Sequence, residues 1–66
     1  MTIDDVARWH RLAQDRWQQA AAASRRAAAN GSEDAAFEAE DCAKEAQRHA
    51  EMAAVVEAFA TEYRRA

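Results

Sequence analysis

The sequence predicts an all-α protein, in which two helices fold into an antiparallel hairpin with an alanine-rich coiled-coil seam and a second copy completes a four-helix bundle. Three observations predict it. The 66 residues contain no proline and a single glycine, Gly31, near the middle. On both sides of that glycine, apolar and small residues recur with alternating steps of four and three. Twenty alanines supply high helix propensity along the whole chain. One domain is expected over 1–66, with helices over about 3–29 and 33–64 and a turn at about 30–32.

The first helix has a start signal at Thr2, which can cap the helix with Asp5 three residues on, a variant of the capping box with a shorter acid. Its apolar seam runs Ile3, Val6, His10, Ala13, Trp17, Ala20, Ser24 and Ala27. The stretch "ANGSED" ends it. Asn30 and Gly31 suit the left-handed conformation that closes a helix, Ser32 is a good N-cap, and Glu33 and Asp34 place negative charge in the first turn of the next helix. The second seam then runs Ala35, Ala39, Cys42, Ala46, His49, Ala53, Val56, Ala60 and Tyr63 without a break in the pattern. Each helix spans about 40 to 45 Å at 1.5 Å per residue. A connection of two or three residues leaves only an antiparallel return.

One seam position in each heptad is alanine, which lets the two backbones approach closely. Folding about Gly31 sets Trp17 over Ala46, His10 over Ala53 and His49 over Ala13, so large side chains meet small ones. Bulk is concentrated at the end away from the loop, where Ile3, Val6, Trp9, Leu12 and Trp17 meet Met52, Val55, Val56, Phe59 and Tyr63. The loop end, rich in alanine, is thin. A second hairpin running the opposite way sets its thick end against this thin one. Trp9, Leu12, Phe37, Val55 and Phe59 lie partly off the internal seam and are the candidate surface for that second copy. The need is physical as well as geometric. A chain this short buries only about 60% of its unfolded surface, and about a dozen large apolar residues make a lone monomer marginal.

The charge balance limits the partners. The formal charge is −3, and it is divided unevenly, with arginines dominating the first half and carboxylates the second. An acidic total argues against a general nucleic-acid binder, whose affinity comes mainly from neutralising phosphates. The single cysteine forms no internal disulfide, and no leader or long apolar run marks a secretory signal or a membrane span. A cytoplasmic protein with no membrane role and no cofactor is the expectation.

Chemistry-bearing clusters are few. Glu45 and His49 stand four apart on one helix face, and His10 falls about one turn from His49 across the hairpin, making these three the candidate metal ligands. Zinc requires three or four ligands at about 2.0 to 2.3 Å, and Cys42 lies about 10 Å from His49 along its helix. Seam histidines with polar partners are therefore the preferred reading, and no metal site is assigned. Glu38, Glu40, Asp41 and Glu45 crowd around Cys42 and disfavour its thiolate. No Ser/His/Asp arrangement, glycine-rich phosphate loop or paired-cysteine motif is present, so no enzyme is expected. The same carboxylates form an acidic face that could dock into a basic groove, although a solvated face is the plainer reading.

The first helix carries Arg11, Gln14, Gln18 and Arg25 in a stripe at helical spacing, flanked by Arg8 and Arg26. Doubled by a dimer axis, these long hydrogen-bonding side chains could track phosphates. In outline the chain resembles the Rop type of bundle, a dimer of short helical hairpins that recognises paired RNA loops. The resemblance lies in chain length, central turn and antiparallel heptads, while large and small seam positions fall in a different order. It implies an RNA-binding four-helix bundle using the Arg/Gln face of the first helix. The leading expectation is instead a small regulator, adaptor or inhibitor that acts by protein–protein binding as a homo-oligomer. A metal-binding bundle ranks third.

Overall fold

The computed structural model describes residues 1–65. Ala66, the last residue of the expected domain, lies outside the described residues. Two helices, α1 (Ile3–Ala29) and α2 (Glu33–Arg65), pack against each other over their length. The molecule is a rod 54 Å long and 15 by 13 Å across. Among the described residues there is no strand, and no helix is long and apolar enough to cross a membrane.

Both ends of α1 are fixed by local chemistry. The Thr2 hydroxyl accepts from the Asp5 amide at 3.2 Å, and the Asp5 carboxylate accepts from the Thr2 amide at 3.0 Å, a complete capping box. At the other end only Gly31 takes a positive φ, +104°. Asn30, expected to share that conformation, stays at φ −91° as the residue on which the helix closes. The amides of Gly31 and Ser32 turn back to the carbonyls of Ala28 (3.0 Å) and Ala27 (3.2 Å). These two bonds form a Schellman motif, which satisfies carbonyls that the helix end leaves without partners. Ser32 Oγ then accepts from the Ala35 amide at 3.4 Å and opens α2. The reversal is complete within three residues, so the helices return antiparallel.

The core between them is made of alanine. Every buried residue described is one: Ala7 and Ala21 on α1, and Ala35, Ala39, Ala46, Ala53 and Ala60 on α2. On α2 these are the small seam positions expected from the heptads, with Cys42, His49 and Val56 half-buried between them. Tyr63 departs from the expectation. It is 73% exposed, because α2 runs beyond the first turn of α1 and has little to cover it.

On α1 the seam is rotated relative to the expected one. The inward row is Ile3, Ala7, His10, Gln14, Ser24 and Ala28 with Ala21 at its tightest point, while Ala27 is exposed. Val6, Ala13 and Ala20, expected to face α2 directly, are only half-buried. The reason is bulk. The alanine-lined α2 is met by the small Ala7 and Ala21, the two buried residues of α1, while the wide ring of Trp17 does not fit the seam and Ala13 and Ala20 line an outer groove beside it. Trp17 is displaced for the same reason: instead of lying flat over Ala46, it is 37% exposed and lines an outer groove with Trp9 and Leu12.

Candidate functional site

The rotation of α1 gives the hairpin two unlike flanks. On one, Asp4, Arg11, Gln18 and Arg25 stand a heptad apart along α1, a spacing that places them in one row beside the seam. Across from them on α2 stand Arg64 and Glu57. Arg64 Nη1 reaches the two Asp4 oxygens at 3.1 and 3.2 Å. Arg11 grips Glu57 through Nε at 3.1 Å and through Nη2, and its remaining Nη1 donates to Gln14 at 3.0 Å. That pairing raises the Arg11 pKa above its ordinary value and lowers that of Glu57, with hydrogen bonding to the partner as the largest cause in each case. Nearer the loop, Gln14, Gln18 and Arg25 line a shallow polar groove with Ala43, Ala46 and Gln47. Thus three of the four residues expected to track RNA share one surface, and Arg11 is drawn away by a carboxylate that sequence spacing alone did not reveal.

The opposite flank is apolar. Trp9, Leu12, Ala13, Arg16, Trp17 and Ala20 line a groove along α1. Beside it, His10, Glu51, Met52, Val55 and Val56 line a second groove that crosses to α2. Phe59 follows Val55 and Met52 by four and seven residues and continues their row. The large side chains here are open to solvent, Trp9 at 59%. Phe37, expected on the same surface, is exposed as well but stands apart, about 27 Å along α2 from Val55.

Comparison with protein-family models, curated proteins and solved structures gives no significant match. Function is therefore argued from these two flanks.

Between the grooves sit His10 and His49, whose Nδ1 atoms are 2.9 Å apart. Sequence spacing placed them about one turn apart, and the structure brings the rings into direct contact. Trp9 meets both edge-on, with ring centroids 4.9 and 5.5 Å away. The centroids of the two imidazoles are 5.2 Å apart, which exceeds the Nδ1 separation by about two imidazole ring radii. Each nitrogen therefore lies nearly on the line joining the rings. That is the head-on geometry of a hydrogen bond, with one nitrogen donating and the other accepting. A chelated ion needs lone pairs converging to one side, and it needs a third ligand. Glu45, the remaining metal candidate, instead holds Arg48 Nη1 at 2.7 Å. Among the described residues no three His, Cys, Asp or Glu side chains gather to hold a metal ion.

The acidic face divides. Glu40 lines a groove with Arg25, Ala28 and Ala36 on the polar side. Glu38 and Glu45 share the heptad position of Met52 and Phe59, so they continue the apolar flank toward the loop, with Asp41 just outside them. All but the half-buried Glu45 are exposed.

Proposed function

We propose that this protein is a non-enzymatic helical interaction module that works as a homodimer, two hairpins joined through their apolar flanks into a four-helix bundle. The observation that carries the proposal is the inversion of its burial pattern: the residues out of water are alanines, while Trp9, Leu12, Trp17, Met52, Val55 and Phe59 face solvent. Alanine burial supplies little hydrophobic stabilisation, since the effect scales with apolar area removed from water. Large apolar side chains concentrated on one flank mark a surface that another molecule covers.

Three features favour a second copy as that molecule. A flank of a rod 54 Å long and 15 Å across offers on the order of 800 Å², the area each partner contributes to a standard stable interface. Bulk lies in the open-end half of the flank, while the loop half carries alanines with Glu38 and Glu45 at its edge, so a copy running the opposite way sets its thick half against this thin one. On the polar flank Asp4 is paired with Arg64 and Arg11 with Glu57, and this flank remains outside the dimer. In this arrangement the dimer acts as a regulator, adaptor or inhibitor of another protein through its solvated faces, and Glu40 and Asp41, outside the covered flank, are available for docking. The RNA-binding alternative rests on Gln14, Gln18 and Arg25.

Sedimentation of the purified chain beside Trp9→Asp and Val55→Asp variants tests the dimer. A helical dimer for the wild type, with loss of mass or of helix in both variants, supports it. A wild type that stays monomeric and fully helical removes it. Titration with a structured RNA tests the alternative: phosphate tracking requires affinity that falls steeply with salt and with Arg25→Ala. Affinity unchanged by either would eliminate it.

A further inference from the structure

Among the described residues the His10–His49 contact is the one part-buried side-chain hydrogen bond between the helices, and it lies beneath the flank assigned above to the second copy. We propose that the pair is a pH-sensitive latch, closed while the two facing Nδ1 atoms share one proton and opened when both carry one. The proposal concerns how the assembly surface is regulated and rests on the dimer reading for its consequence, although the latch itself belongs to the single hairpin.

Proton bookkeeping gives the device its direction. With both rings neutral, one imidazole carries its hydrogen on Nδ1 and donates, while the other carries its hydrogen on Nε2 and accepts through Nδ1. The first added proton goes to the free Nε2 of the donor ring. The contact survives and becomes charge-assisted. A second proton has only the accepting Nδ1 left to occupy. Both facing atoms then bear hydrogen, no lone pair remains between them, and two positive rings meet at a distance set for a hydrogen bond.

The surroundings do not relieve that state. One turn from His10 on α1 stand Val6, Ala7, Ala13 and Gln14, none of them charged. One turn from His49 on α2 stand Glu45, Ala46, Met52 and Ala53, and the Glu45 carboxylate is engaged by Arg48 at 2.7 Å. Glu51 shares the groove with His10 and keeps its charge while accepting from the neutral Gln47 amide at 3.2 Å, so it attracts His10 but supplies no lone pair between the two facing Nδ1 atoms. Arg11, next to His10 in the chain, is tied to Glu57 on the opposite flank. The doubly charged pair is thus left to separate, which moves Trp9 from both rings and disturbs the groove floor formed with Met52 and Val56. Acidification should therefore loosen the hairpin at the centre of the assembly surface.

The test uses the full chain with Trp17→Phe, so that Trp9 alone emits. Imidazole nitrogen NMR, Trp9 emission, thermal melting and sedimentation are followed from about pH 8 to about pH 5, the range spanning ordinary histidine titration. Three results are expected. At high pH one Nδ1 is protonated and its neighbour accepts. The two imidazoles then titrate in separate steps, and the second step coincides with a change in Trp9 emission and a fall in melting temperature of several degrees. Dimer dissociation rises by about tenfold or more across that second step. In a His49→Gln background, and independently in His10→Gln, the acid-linked fall in melting temperature disappears. The latch is overturned if both imidazoles titrate in one step with Trp9 emission unmoved, or if either variant that folds keeps the wild-type pH profile. A chain that proves monomeric at pH 8 removes the dimer, while nitrogen NMR and melting still decide the latch.

Discussion

Ala53, with none of its surface exposed, is the most deeply buried residue of the seam. Enlarging it to leucine forces the backbones apart and should cost about 1 to 3 kcal/mol, whereas Ala54→Leu, on the exposed side of α2, should leave the urea midpoint nearly unchanged. Equal effects at the two positions would mean that the seam is not close-packed. The capping pair at the chain start makes a second prediction at this scale. Replacing Thr2 by alanine removes the oxygen that accepts from the Asp5 amide and should cost about 1 kcal/mol. The Asp5 carboxyl is held below its ordinary value of 3.8, first by the hydrogen bond from the Thr2 amide, then by the Thr2 side chain, and also by the charge of Arg8. A carboxylate favoured in the folded state contributes stability above its unfolded pKa and loses it as pH falls through the folded value. The stability gap between wild type and Asp5→Asn should therefore be present at neutral pH and close below about pH 3.8. A gap that persists undiminished to more acid pH would show that the capping carboxylate is not its source. These caps were legible in the sequence because a capping box depends on residues three apart, with no contribution from the rest of the fold.

The turn between the helices is the element on which the topology depends, and its glycine is required by conformation rather than by space. A Cβ at Gly31 would meet nothing within 4 Å, yet the residue sits at φ +104°. Gly31→Ala should therefore destabilise by about 1 to 2 kcal/mol through backbone strain alone, visible as a lower melting temperature with unchanged helix content. An unchanged melting temperature would argue against the Schellman closure. The turn and the α2 seam were read directly from the sequence, because one glycine and an unbroken run of fours and threes leave little choice. Helix α1 was harder. Ala20 to Ala23 and Ala27 to Ala29 offer several adjacent small residues, so a seam through Ala13, Ala20 and Ala27 fits the pattern as well as one through Ala7, Ala21 and Ala28. The choice is made by packing against α2, a relation between elements. The same rotation brings Arg11 to Glu57 and His10 to His49, pairs separated by 46 and 39 positions. No local pattern contains the first pair, and folding about Gly31 set the second only about one turn apart, so the Arg/Gln stripe has one of its two arginines committed to a carboxylate, and the candidate ligands His10 and His49 meet in a hydrogen bond.

At the scale of the whole molecule, the hairpin has an inside made of alanine and an outside that carries its tryptophans, phenylalanines and Leu12. The sequence revealed this surplus as bulk at the open end, and the structure adds that most of it lies on a single flank, while the other carries the Arg11–Glu57 and Arg64–Asp4 ion pairs. The flank, not a pocket with reactive groups, is thus the feature on which the proposed function rests, with a second copy as the proposed covering. Phe37 lies about five helical turns from Val55, on the same side of α2, and meets the open end of an opposite-running copy; Phe37→Asp should weaken assembly and Trp9→Asp abolish it, and a Phe37 variant with wild-type mass would end the contact short of the loop. The most direct test of the central claim is the solution mass of the purified chain at neutral pH over a wide concentration range, with helicity recorded on the same samples. The account predicts a helical dimer that loses mass and helix together on dilution. A chain that remains monomeric and fully helical at every concentration would contradict it, because the alanine seam would then be sufficient and the apolar flank would have no copy to receive.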